Sequence, residues 1–220
     1  MRETLKTLRE RYPLLPALLS AGGSLAYAVF HGALAFRYRS WWSVTLAAYF
    51  CVLGCMRLSA VSAARSGRRA AADNLRRNGM AMALLAIVLS GMTLLTILEQ
   101  RNAQYALPVI LAIAAYTFCL AGLAIRNVIR AFRTRSSVMI ALRNIACAGA
   151  IGAMLSLERA MLGTFGDAAG AFARTMEAAS GAEAFVLVLA LGAGMIAAAR
   201  RAAWEDEAGE TDKNGGAGPF

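Results

Sequence analysis

The sequence predicts an all-α, polytopic membrane helix bundle of six transmembrane helices with both termini in the cytoplasm, and three observations carry that prediction. The 220 residues are 59% hydrophobic with a mean hydropathy of +0.53, whereas a soluble domain is about 45–50% apolar. Apolar runs approaching the ~20 residues needed to cross about 30 Å of hydrocarbon recur along almost the whole chain and leave no room for a soluble domain. Basic residues are gathered in the short segments between those runs, which assigns the formal charge of +10 to topology and not to nucleic-acid binding.

The first span is expected at 14–36, entered through Tyr12-Pro13, with Pro13 and Pro16 tolerated in the opening turn. The basic stretch before it is followed by an apolar run too long for a signal-peptide core, so this helix is expected to be retained. The second, 41–63, opens on Trp41-Trp42, the residue type that anchors a helix at the membrane–water boundary, and carries Arg57 within it. The third, 79–98, and fourth, 105–125, are free of charge. The fifth is expected at 138–162 and the sixth at 184–199. The acidic, glycine-containing segment 204–220 has the composition of a disordered cytoplasmic tail.

With the N-terminus inside, 18 of the 23 Lys and Arg residues fall on the cytoplasmic side, and Arg37, Arg39, Arg101, Arg159 and Arg174 on the other. The positive-inside rule therefore favours N-in, C-in and a multi-pass protein of the cell membrane. Arginine outnumbers lysine 21 to 2, a bias that fits a GC-rich coding genome and is assigned no function.

The fifth span departs most from simple hydropathy. Its uninterrupted apolar run, Ile145 to Leu157, is 13 residues, about 20 Å as a helix against the ~30 Å required. A helix of normal length must take in Arg143-Asn144, Glu158-Arg159 or both, and ionisable groups at such depth face a bundle interior or a watery cavity. Glu158, Ser156 and Arg159 are therefore the candidate lining of a polar pocket in the outer half. Neighbours about 100° apart on a helix cannot pair face to face, so Glu158 needs a partner elsewhere, with His31 and Arg101 available. The alternative is that Glu158 and Arg159 merely flank a short, untilted helix.

On the cytoplasmic side Arg57, Asn127, Arg143 and Asn144 are the candidate polar residues. Arg57 is expected to snorkel toward the headgroups, with pairing inside the bundle as the alternative. The connection from Gly163 to Ala182 is expected to hold a short interfacial helix from Asp167 to Ala179, or a lid over the pocket. Small residues at every fourth position, Ser20, Ser24, Ala28 and Gly32 in span one and Ala190, Gly194 and Ala198 in span six, suit close helix packing or docking of a second copy or another membrane protein. Arg77-Asn78 with Ser90, echoed by Arg143-Asn144 with Ser156, suggests a duplicated hairpin, alongside Tyr49 to Arg57 against Tyr116 to Arg126.

Several chemistries are not expected. Cys51, Cys55, Cys119 and Cys147 all lie in spans without a CxxC, and His31 is the single histidine, so disulfides, a metal site and bis-histidyl haem are not expected, nor is any other cofactor. Nucleophile elbow, phosphate-binding glycine loop and HExxH are missing from the sequence, so catalysis is not the expected role.

Tyr12-Pro13, Ser40-Trp41-Trp42, Ala48-Tyr49-Phe50, Met56-Arg57, Leu89-Ser90-Gly91-Met92, Tyr116-Thr117-Phe118, Ala141-Leu142-Arg143-Asn144 and Leu155-Ser156-Leu157-Glu158 together resemble a family of small, uncharacterised six-span integral membrane proteins of Gram-positive bacteria. The resemblance implies the fold and no activity. It implies glutamine where Glu158 stands, so a polar group at that depth matters more than a carboxylate. The functional expectation is a small-solute or ion permease. A non-transporting subunit, sensor or substrate-binding component that docks a partner is the rival, and a membrane-embedded lipid enzyme the third reading.

Overall fold

The computed structural model describes residues 14–99, 105–131, 137–165 and 170–215. Six helices follow in chain order: α1 Leu14–Tyr38, α2 Trp41–Ser66, α3 Arg68–Glu99, α4 Leu107–Ala131, α5 Ser137–Phe165 and α6 Ala171–Gly215. Ser40 caps α2, its hydroxyl accepting from the Ser43 amide, which satisfies one of the amides that a helix start leaves open. Gly67, at φ 105°, turns the chain between α2 and α3 in a backbone region that side-chain-bearing residues avoid.

Five of these helices are long and apolar enough to cross a membrane among the described residues: Ala17–Tyr38, Trp41–Ser66, Leu107–Ile129, Ser137–Phe165 and Phe172–Trp204. The chain is a multi-pass helical membrane protein. The apolar run from Gly79 to Leu98 lies in α3, behind a polar and basic first third; α3 is not one of the five.

Helix α5 is the hub, packing on α2, α3, α4 and α6. Its middle is built from Ala146, Ala148, Gly149, Ala150, Gly152 and Ala153, all buried, which let four neighbours approach its backbone. That position explains its short apolar run: a helix ringed by protein does not need a continuous lipid-facing surface. Around it α1 pairs with α2, α4 with α5, and α3 with α6. At the α3–α6 crossing the two backbones touch. A Cβ added to Gly79 would stand 2.9 Å from the Gly192 carbonyl oxygen, and one added to Gly192 the same distance from that of Gly79.

One expectation needs correction. The short interfacial helix is not a separate element: Ala171 onward runs without a break into the apolar part of α6. Alanine-rich sequence with no proline from Ala171 to Ala203 gives nothing to stop the helix. The same helix continues to Gly215. Cys51, Cys55 and Cys119 face outward, and Cys147 is half-buried.

Candidate functional site

The residues expected to form one outer pocket separate into two groups on different sides of α5. Ser156 and His31 meet each other: the Ser156 hydroxyl lies 3.2 Å from His31 Nε2 and accepts from the Tyr27 hydroxyl at 3.4 Å. Glu158 and Arg159 turn to α6, away from His31. Arg101 lies outside the described residues.

The first group is an aromatic seam along one face of α1. Tyr27 stacks on Tyr116 of α4 with ring centroids 3.8 Å apart and meets Phe50 of α2 edge-on at 4.7 Å. The Tyr116 hydroxyl donates to the Gly23 carbonyl at 3.1 Å. Deeper, Arg57 is 1% exposed; its Nη1 donates to the Ser20 carbonyl at 2.7 Å and to the Ser24 hydroxyl. The guanidinium therefore does not snorkel. It stays inside because α1 offers oxygen acceptors at that level and Gly149 of α5 leaves room for Nη2, 3.3 Å from where a Cβ would stand. About two turns toward the other end of α2, Tyr49 packs against Gly152 and donates to the Ala148 carbonyl at 2.8 Å. Seam and packing are thus the same structure.

The second group is the polar site proper. Arg159, 8% exposed, faces Glu177 of α6, 7% exposed, at 3.9 Å, an ion pair beyond hydrogen-bonding distance. Its guanidinium carbon lies 4.6 Å from the Trp42 ring centroid, a cation–π arrangement. Glu158 is partly buried, and its Oε1, like Oε1 of Glu177, is enclosed without a hydrogen-bond donor. These carboxylates line a cavity of about 10 Å³ with Trp42, Thr93, Leu155, Arg159 and Ser180. By that measure there is space for about one water or a comparably small ion. Two carboxylates and one guanidinium leave the site with an excess of acceptors, which suits a proton or a small cation. Among the described residues, no group of three or more His, Cys, Asp or Glu side chains stands close enough to hold a metal ion.

The structure places the remaining candidates at the opposite end. Asn144 is buried and donates to the Leu191 carbonyl at 3.4 Å, while accepting from Arg143 Nε at 3.1 Å. Asn78 is buried too, donating to Asn74 Oδ1 at 2.9 Å, but the echo between the hairpins stops there: Arg57 is buried where Arg126 is exposed. Asn127 is partly buried. Glu177, Ser180, Trp42 and Tyr27 complete the two groups and were not among the candidates. A continuous helical periodicity through 171–182 is the signal that would have brought Glu177 in.

Fold and site together define a multi-pass helical membrane protein with a carboxylate-lined polar site held inside the bundle. Comparison with protein-family models, with curated proteins and with solved structures finds no match to the chain.

Proposed function

We propose that the protein is a permease-type membrane protein for a proton or small cation, crossing the membrane six times with both termini in the cytoplasm, and that Glu158, Glu177 and Arg159 form its ion site. The observation that carries this reading is the pair of enclosed carboxylate oxygens, Oε1 of Glu158 and of Glu177, around a cavity of about 10 Å³. Buried acceptors without donors are costly inside a membrane protein and mark ion or proton pathways. An organic solute does not fit that volume, which narrows the small-solute expectation to ions. Arg159 acts as the internal counter-charge: the ion and the guanidinium compete for Glu177, which stands 3.9 Å from the guanidinium.

The test is flux into liposomes of purified protein, read with a pH-sensitive dye and with sodium- and potassium-sensitive dyes. Wild-type protein is expected to pass one of these ions, with Glu158→Gln and Glu177→Gln each reducing the rate at least tenfold while both variants remain folded. Equal flux in the wild type, the double variant and empty liposomes would sink the proposal.

A second reading, docking of a membrane partner, draws on a specific observation: Ala190 and Gly194 of the small-residue stripe lie on the outer surface of α6, whereas Ser24 and Ala28 of the α1 stripe are buried within the bundle.

A further inference from the structure

Away from the polar site, at the level of Arg143 and Asn144, α5 and α6 diverge around a groove of about 380 Å³. Cys147 and Ile151 of α5 and Leu187 and Leu191 of α6 form apolar walls, with Ala190 and Gly194 as its floor. A Cβ on Gly194 would meet nothing within 4 Å, so no side chain of this chain fills the space in front of it. The groove is polar at one end only. There Arg143, partly buried, is oriented by the hydrogen bond from its Nε to Asn144 Oδ1 at 3.1 Å, and Asn144 is fixed in turn to the Leu191 carbonyl. No carboxylate pairs with Arg143 among the described residues, although buried or half-buried guanidinium groups normally find an anion.

We propose that this groove seats one acyl chain of an anionic phospholipid, with the lipid phosphate on Arg143. Depth supports the assignment. Arg143 lies eight residues before Ile151, about 12 Å along the helix axis, so its long side chain reaches the level where a hydrocarbon half-layer of about 15 Å gives way to headgroups. Charge supports it as well: an arginine with an open donor face at the end of an apolar slot matches a phosphate carrying a hydrocarbon chain, and basic pockets between membrane helices bind anionic headgroups in this way. A helix from a second copy fits less well. It would leave the guanidinium facing apolar side chains.

The experiment is native mass spectrometry of detergent-purified protein titrated with phosphatidylglycerol and with phosphatidylcholine, alongside thermal unfolding to establish that each variant is folded. Wild-type protein is expected to retain phosphatidylglycerol in preference to phosphatidylcholine. Arg143→Gln is expected to lower phosphatidylglycerol affinity about fivefold, the worth of one basic residue near an anionic surface, with phosphatidylcholine unchanged. Gly194→Leu, placed in open space, is expected to fill the slot and lower retention of both lipids. Arg126→Gln, at an exposed position of α4, is the control and should change neither. Equal retention of the two lipids by the wild type overturns the proposal, as does an equal loss in Arg143→Gln and Arg126→Gln. Dissociation of a dimer by Gly194→Leu, seen in the same spectra, would assign the groove to a second copy and overturn it too. None of these outcomes depends on ion flux through Glu158 and Glu177.

Discussion

The two polar regions flanking α5 use similar depths of the bundle in opposite ways. On the α1 side, Tyr27, Tyr116, Phe50 and Tyr49 are stacked or edge-on to one another, and each tyrosine hydroxyl has an acceptor. On the α6 side, the Arg159–Glu177 ion pair stands at 3.9 Å, two carboxylate oxygens have no donor, and a cavity remains. Packing of the first kind fixes helices in one arrangement. Buried polar atoms without a partner occur on both sides, His31 Nδ1 and Arg57 Nη2 on the first and the two carboxylate oxygens on the second, and the second pair lines a cavity. Within a single helix, Ser156 belongs to the seam while Glu158, two residues later, lines the cavity.

Mutations that break the contrast should rank by how tightly the target is packed. The largest loss is expected for Gly152→Val: a Cβ at that position already stands 2.6 Å from the Tyr49 ring, so thermal unfolding in detergent should report about 3 kcal/mol or more of destabilisation. Ser24→Ala comes next. It removes one of two acceptors from a guanidinium that is 1% exposed, at a cost of about 1.5–3 kcal/mol in the same assay. Tyr116→Phe keeps the stack on Tyr27 and loses only the bond to the Gly23 carbonyl, about 0.5–1.5 kcal/mol. The smallest stability change, within about 0.5 kcal/mol, is expected for Glu158→Gln, which is nearly isosteric and breaks no hydrogen bond at Oε1. That variant should nevertheless carry one of the largest losses in ion flux. If Glu158→Gln unfolded the protein as readily as Ser24→Ala, the outer site would be structural and the distinction between the two regions would disappear.

Hydropathy made the helices legible because lipid demands long apolar runs whatever the packing. The importance of α5 was also legible, from the 13-residue apolar run bounded by Arg143-Asn144 and Glu158-Arg159. Its cause was not, since a short run alone does not distinguish a shallow helix from one ringed by protein. Arg57 was misjudged for a related reason. Snorkelling depends on the free path of a side chain, and that path is decided by Ser20 and Ser24, 37 and 33 residues away in sequence. Glu177 was missed because glycine and aspartate near 166–170 suggested a surface connection, while the alanine-rich segment after them winds straight into α6. The aromatic seam was hidden by composition, as tyrosine inside a span reads as apolar bulk until its hydroxyl is seen to find a carbonyl.

The uninterrupted length of α6 joins features that otherwise look independent. Forty-five residues, about 67 Å of helix, carry Glu177 and Ser180 near one end, the Leu191 carbonyl and the groove floor in the middle, and the acidic segment 205–210 toward the other. Where this rod crosses α3, Gly79 and Gly192 bring backbone against backbone with no side chain between them. About three turns away, Gly181 stands as closely against the Thr93 side chain of α3, so α6 is clamped to α3 at two points and the cavity lined by Glu177 and Ser180 lies beside one of them.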